Sequence, residues 1–203
     1  MREKYPPIGF LFGLCAVVYF WVSVSIDAYL NSSWWRFNVR SFSALGDPGS
    51  NSSGAAAGLY WIYNDVVIFP TATLILLFSA ALILVARNKI QETGGSFLMV
   101  SGIFLALVGI YHGGPPTPGP VHDFVSNWFF VQAALGIIIW GIGVLWQGDR
   151  LLGWSNIFLV VGAIAIGINI KFGSVAETEA FAIIVIDIWV LLIFIARQLG
   201  RRT

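Results

Sequence analysis

The sequence predicts an all-α membrane protein: one polytopic bundle of six transmembrane helices over residues 1–203, with both termini in the cytoplasm. Hydrophobic residues make up 58% of the chain and charged residues only 10%. A soluble domain of this length does not bury enough surface to justify so apolar a composition. The apolar runs are long enough to cross a hydrocarbon core of roughly 30 Å at about 1.5 Å per helical residue. Barrel strands are shorter and alternate in polarity, so helices are the spanning element.

Each predicted helix is a continuous apolar run bounded by polar, glycine or proline residues. The six ranges are Ile8–Tyr29, Val66–Ala86, Phe97–Tyr111, Phe124–Trp146, Trp154–Ile170 and Ala180–Arg197. The first run is too long for the apolar part of a cleavable signal peptide. The third and fifth runs are short, which indicates little tilt or a locally thinned bilayer. Residues 31–64 form the longest segment expected outside the membrane.

Basic residues set the expected orientation. One side of the bundle carries eight of the eleven lysine and arginine residues: Arg2, Lys4, Arg87, Lys89, Arg150, Arg197, Arg201 and Arg202. The opposite side carries Arg36, Arg40 and Lys171. Because positive residues stay cytoplasmic in multi-pass proteins, we expect both termini inside and a location in the cell membrane.

Other features of the sequence bear on which ligands and modifications are expected. The single cysteine, Cys15, lies in the first helix, so no intrachain disulfide and no cysteine metal site is expected. A net charge of +1 gives no nucleic-acid footprint. The runs beginning at Asn31 and Asn51 fit the N-glycosylation pattern on the predicted outer side, although Ser/Asn-rich turns account for both better. We expect no cofactor and no nucleic acid; the expected partners are membrane lipids, other membrane subunits or a second copy of the chain.

Small residues repeat on one face of three predicted helices. The repeats are Gly9, Gly13 and Ala16; Gly102, Ala106 and Gly109; and Ala163 and Gly167. Small side chains let helix backbones approach closely in lipid, so each set predicts a helix–helix contact.

Polar residues gather at the helix starts on the predicted outer side. His122 and Ser126 lie one helical turn apart, and Asp123 begins the fourth helix, where backbone N–H groups and the helix dipole favour negative charge. Asn64 and Glu177 also precede inward-running helices, so we expect the three junctions to meet. The predicted polar cluster comprises Asp47, Asn64, His122, Asp123, Ser126 and Glu177.

Three interpretations of this cluster stay open. In the first, Asp123 caps the fourth helix and His122 satisfies loop backbone groups. The second is recognition of a lipid headgroup or a small anion. The third is a metal or catalytic site built from Asp47, His112, His122, Asp123 and Glu177. Such residues suit zinc, but their spacing follows no ligand pattern, so we assign no metal ligand and no catalytic residue. Haem ligation by histidines in a proline-rich loop is disfavoured.

Asp187 is the charged residue that lies deepest in the predicted membrane. A carboxylate near the middle of a helix costs about 2.5–3.5 kcal/mol on insertion scales, so Asp187 must face the interior, pair or be neutral. Gln132 of the fourth helix lies at similar depth and is a candidate partner. Asp187 is therefore either a hydrogen-bonding link between helices or part of a proton or cation relay.

Short motifs follow a fixed order along the chain. They are Ser43, Leu45, Gly46 and Asp47 after the first helix; Tyr63 and Asn64 before the second; His122, Ser126, Phe129 and Phe130 at the fourth; and Glu177 before the sixth. In this order they resemble an uncharacterised family of prokaryotic six-helix membrane proteins, best known from archaea, called domain of unknown function family 998. The chain departs from the family pattern at Asp65 and around Tyr111 and His112. The resemblance implies the six-helix fold and implies no reaction.

We therefore expect an integral membrane protein with an outward-facing His/carboxylate cluster and a binding or accessory role. Recognition of lipid headgroups is the leading hypothesis. The alternatives are a metal-dependent hydrolase acting on a lipid at the outer interface and a structural subunit of a larger membrane complex. The sequence alone leaves enzymatic activity open.

The orientation is tested by thiol labelling in a Cys15→Ser background. Because basic residues are expected inside, a cysteine replacing Asn51 should react with an impermeant thiol reagent in intact cells. A cysteine replacing Asn88 should react only after lysis. Labelling of position 88 in intact cells reverses the predicted orientation.

Overall fold

The computed structural model describes residues 8–47, 59–112 and 119–199, and its regular elements there are all helical. The six long helices are α1 (Ile8–Leu30), α2 (Phe69–Val85), α3 (Lys89–Ile110), α4 (Gly119–Trp146), α5 (Arg150–Asn169) and α6 (Val175–Gln198). All six spans are long and apolar enough to cross a membrane. The prediction of an all-α, six-helix membrane protein is confirmed. The Asn51 pattern and residues 113–118 of the proline-rich loop lie outside the described residues.

Helices α3 to α6 begin several residues before the apolar runs from which they were predicted. Polar caps set the starts of α3, α5 and α6. Asn88, Asp149 and Ser174 each accept a hydrogen bond from the backbone N–H three residues further on, at 2.9, 3.0 and 3.2 Å. Hydropathy marks only the apolar centre of a helix, so the predicted third and fifth helices were too short. The actual α3 and α5 have 22 and 20 residues.

The chain enters α2 through a π-helical segment, Ile62–Ile68, earlier than the predicted start at Val66. Pro70 explains it, because proline has no backbone N–H and its ring displaces the carbonyl four residues before it. That carbonyl belongs to Val66, and the Tyr19 hydroxyl of α1 donates to it at 2.6 Å. A hydrogen bond from a neighbouring helix thus satisfies the carbonyl that the proline leaves free. Inside a membrane, no water is present to do so.

We call the end of the bundle formed by residues 31–47, 59–61, 111–112 and 170–174 the loop end. Much of this first segment packs into the core, although it was expected to be in water: Trp35, Phe42 and Leu45 are buried. Asn31 is only 1% exposed, because its side chain donates to Asp27 and accepts from Trp34. It closes a turn, in agreement with the turn interpretation of its Asn-x-Ser pattern.

Glycines bring α3, α4 and α5 into close contact. A Cβ at Gly94 of α3 would lie 2.6 Å from the backbone nitrogen of Trp140 in α4. A Cβ at Gly141 of α4 would lie 3.0 Å from the carbonyl oxygen of Gly153 in α5. No larger side chain fits where backbone meets backbone, so these three helices form one tightly packed block.

The predicted small-residue contacts are only partly present. Gly9 and Gly13 of α1 pack against Ala81 and Phe78 of α2. A Cβ at Gly167 of α5, in contrast, would meet nothing within 4 Å. Helix α5 contacts α6 sparsely, so the contact expected from Gly167 is absent and a groove stands in its place.

Two glycine-to-alanine variants test this packing. Gly94→Ala should lower the free energy of unfolding by about 1–3 kcal/mol, because backbone atoms cannot move away from the new methyl group. Gly162→Ala in α5 is the control, since its Cβ meets nothing within 4 Å. Thermal unfolding in detergent measures both, and equal midpoints would contradict the close α3–α4 contact.

Candidate functional site

A polar cavity of about 450 Å³ lies at the loop end between α4, α6 and the segment around Ser41. Its polar lining consists of Ser41, Ser43, His122, Asp123, Ser126, Asn127, Thr178 and Glu179. The first turns of α4 and α6 supply most of these side chains. Among the six residues of the predicted cluster, the cavity brings together His122, Asp123 and Ser126.

The orientation of His122 is fixed by the end of α3. The imidazole is only 7% exposed, and its Nδ1 lies 2.6 Å from the carbonyl oxygen of Tyr111, which ends α3. A carbonyl only accepts, so Nδ1 carries the proton, and Nε2 is an acceptor in the neutral ring. The Ser126 hydroxyl lies 3.4 Å from Nε2, one turn further along α4. In this neutral form His122 presents an acceptor to the cavity.

Glu179 is the site residue that sequence reasoning passed over in favour of Glu177. Its Oε2 accepts from the backbone N–H of Phe42 at 2.7 Å, which ties α6 to the first loop. Glu177 instead caps its own helix: its carboxylate accepts from the Gly173 N–H at 2.7 Å, and its backbone N–H donates to Ser174. The run Ser174-x-x-Glu177 is a capping-box pattern, and this signal was available in the sequence.

Asn64 joins the first loop to the π-helical segment. Its side-chain amide donates to the carbonyl of Gly46 at 3.0 Å. A Cβ at position 46 would collide with the Asn64 side chain, so only glycine fits there. Asp47 follows directly as the residue that ends the short 3₁₀ turn Ser43–Gly46. The three junctions thus come to one end of the bundle, but the described lining of the cavity includes neither Asp47 nor Asn64.

Smaller cavities continue from the polar cavity towards the middle of the bundle. One of about 40 Å³ shares Ser43, Ser126 and Glu179 with it, and one of about 60 Å³ lies deeper against Asp187. Asp187 Oδ2 accepts from the indole N–H of Trp21 in α1 at 2.7 Å. The structure therefore pairs Asp187 with Trp21 and not with Gln132. An indole counts as apolar in a hydropathy scan although it carries a donor, which is why the sequence did not indicate this partner.

An apolar groove of about 390 Å³ runs between α4, α5 and α6. It shares Phe130, Thr178 and Ala182 with the polar cavity, so the two spaces adjoin. Ala163 and Gly167 of α5 line it, and the last turns of α5 are exposed. The polar cavity therefore adjoins an apolar groove on the exposed side of the bundle.

Metal binding finds little support in the described parts of the chain, residues 8–47, 59–112 and 119–199. No three His, Cys, Asp or Glu side chains come together there as a possible metal site. His112 does not line the polar cavity; its ring lies 6.2 Å from that of Tyr60.

The model of one protein family matches residues 14–196, and its description is protein of unknown function (DUF998). The chain belongs to this family. The match extends from α1 almost to the end of α6, so it includes the polar cavity and the apolar groove. No curated protein and no solved structure matches the chain. The family resemblance drawn from the motifs is confirmed, and the description of the family names no activity.

The Trp21–Asp187 hydrogen bond is tested by two substitutions at position 187. Asp187→Asn keeps an acceptor for the indole, so it should cost less than about 1 kcal/mol of unfolding free energy. Asp187→Leu leaves the partly buried indole N–H of Trp21 unpaired and should cost about 1–3 kcal/mol. Unfolding in mixed micelles measures both, and the loss caused by leucine should shrink in a Trp21→Phe background. An asparagine variant that fails to fold would show instead that the charge itself is required.

Proposed function

We propose that the protein binds a membrane lipid at the loop end, with the headgroup in the polar cavity and an acyl chain in the apolar groove. The observation that carries this proposal is the shared wall of the two spaces, Phe130, Thr178 and Ala182. A lipid needs this succession of environments, because its polar head is joined directly to its apolar chains.

The groove suits an acyl chain in shape and chemistry. Its walls are formed by apolar side chains of three helices, and the small residues Ala163, Gly167 and Ala182 keep it open. Helices attract each other in lipid through close packing, so a groove lined by small residues loses that packing unless another molecule fills it. A second groove of about 450 Å³ beside α1 shares no lining residue with the polar cavity, so it does not adjoin the proposed headgroup site.

The polar cavity suits a headgroup by position. It lies at the first turns of α4 and α6, where a spanning helix reaches the interface. The distribution of basic residues favours an outer location for this end, and on that basis the proposed ligand is a lipid of the outer leaflet of the cell membrane. The proposal is one of binding and includes no reaction step. The Tyr111 carbonyl holds the His122 ring in place, and the Phe42 N–H holds the Glu179 side chain.

Two tryptophan substitutions in α5 test the groove. Gly167→Trp places an indole in the groove at a position with free space, so the fold should persist while bound lipid falls about fivefold or more, equivalent to about 1 kcal/mol. Gly162→Trp is the matched control, because its position is equally open but does not line the groove. Native mass spectrometry after mild extraction counts the lipids retained by each.

A second variant tests the groove independently, in case the tryptophan side chain at position 167 points away from it. Ala182→Phe adds bulk to the wall that both spaces share, and it should reduce lipid retention in the same way. Retention that stays equal to the wild type in both Gly167→Trp and Ala182→Phe would contradict the proposed function.

A further inference from the structure

We propose that the headgroup bound in the polar cavity carries a primary ammonium group. This inference rests on the lipid-binding function proposed above and names the chemical class of the headgroup. The observations behind it are the charge of the cavity wall, the hydrogen-bonding character of its side chains and the position of Glu179.

The wall of the cavity is acidic. Asp123 and Glu179 contribute two carboxylates, and the described lining residues include no lysine or arginine. Arg40 adjoins the lining residue Ser41 in sequence, but its guanidinium lies over the ring of Trp34, 5.2 Å from the centroid. An anionic headgroup would face two carboxyl groups, and the described lining offers no lysine or arginine to pair with it. A cationic group can pair with either carboxylate.

The wall is also rich in acceptors. His122 turns Nε2 towards Ser126 and the cavity, since Nδ1 is held by the Tyr111 carbonyl. The Phe42 N–H occupies only one oxygen of Glu179, so the other oxygen can accept a further bond. A primary ammonium group has three N–H donors and no acceptor, which matches this wall. A quaternary ammonium group has the charge but no donors.

Glu179 is the expected main contact of the ammonium group. It lies deeper than Asp123, because it also lines the smaller cavity beneath, and Asp123 is exposed. Its hydrogen bond to the Phe42 N–H holds the carboxyl group in place. Charge-assisted hydrogen bonds to a fixed carboxylate are stronger and more directional than neutral ones. Glu179 is therefore the residue that sets headgroup preference.

The test compares three lipids with identical acyl chains bound to the full-length protein: phosphatidylethanolamine, phosphatidylcholine and phosphatidylglycerol. Native mass spectrometry measures the fraction of each retained. Phosphatidylethanolamine should be retained about tenfold better than phosphatidylglycerol, with phosphatidylcholine between them. Glu179→Gln keeps an acceptor for Phe42 but removes the charge, so the preference should fall to about threefold or less.

Glu177→Gln is the matched control, because Glu177 is on the same helix and bonds Gly173 outside the cavity. It should leave the preference unchanged. If Glu179→Gln does not fold, Asp123→Asn at the exposed rim gives the second measurement, and a reduced preference is again expected. Equal retention of all three lipids, or a preference for phosphatidylglycerol, overturns the ammonium inference but leaves lipid binding intact. Retention of no lipid overturns the proposed function, and the inference with it.

Discussion

Helix α6 is held to α1 and the loop that follows α1 by three hydrogen bonds, and the shape of the site depends on them. They are Ser174 Oγ to the Phe37 carbonyl at 2.8 Å, the Phe42 N–H to Glu179 at 2.7 Å, and the Trp21 indole to Asp187 at 2.7 Å. They extend from the start of α6 to its middle. Such bonds orient a helix in lipid, where no hydrophobic force selects one face over another.

The apolar groove lies between α6 and the packed block of α3, α4 and α5. Glycine contacts form that block, whereas few contacts join α6 to α4 and α5. The polar cavity forms at the top of the same gap, because Glu179 is drawn towards Phe42 and His122 is held by Tyr111. Cavity and groove therefore adjoin each other, and both lie within the part of the chain that the family match covers.

Hydropathy was enough to predict the six helices, because apolar length is what the membrane demands of a span. The site was predictable only in part. His122 was found from its place at a helix start, but Glu179 was missed, since a capping box had to be recognised before Glu177 could be set aside. Trp21 was missed because its donor is hidden in an apolar residue. Gly167 shows the limit of a local pattern. The spacing of small residues predicts a close helix contact, but a Cβ at Gly167 would meet nothing within 4 Å.

The central claim, that the opening between α5 and α6 holds a lipid chain, is tested most directly by photocrosslinking in a bilayer. A lipid with a diazirine in its acyl chain is reconstituted with the protein, irradiated, and the labelled residues are mapped by mass spectrometry. Phe172, Phe181 and Val185 line the groove and are half-buried. Val18 and Val22 on α1 are more exposed, at 63% and 55%. The groove residues should nevertheless carry more label. Labelling that simply follows exposure, with α1 ahead of the groove, would contradict the account.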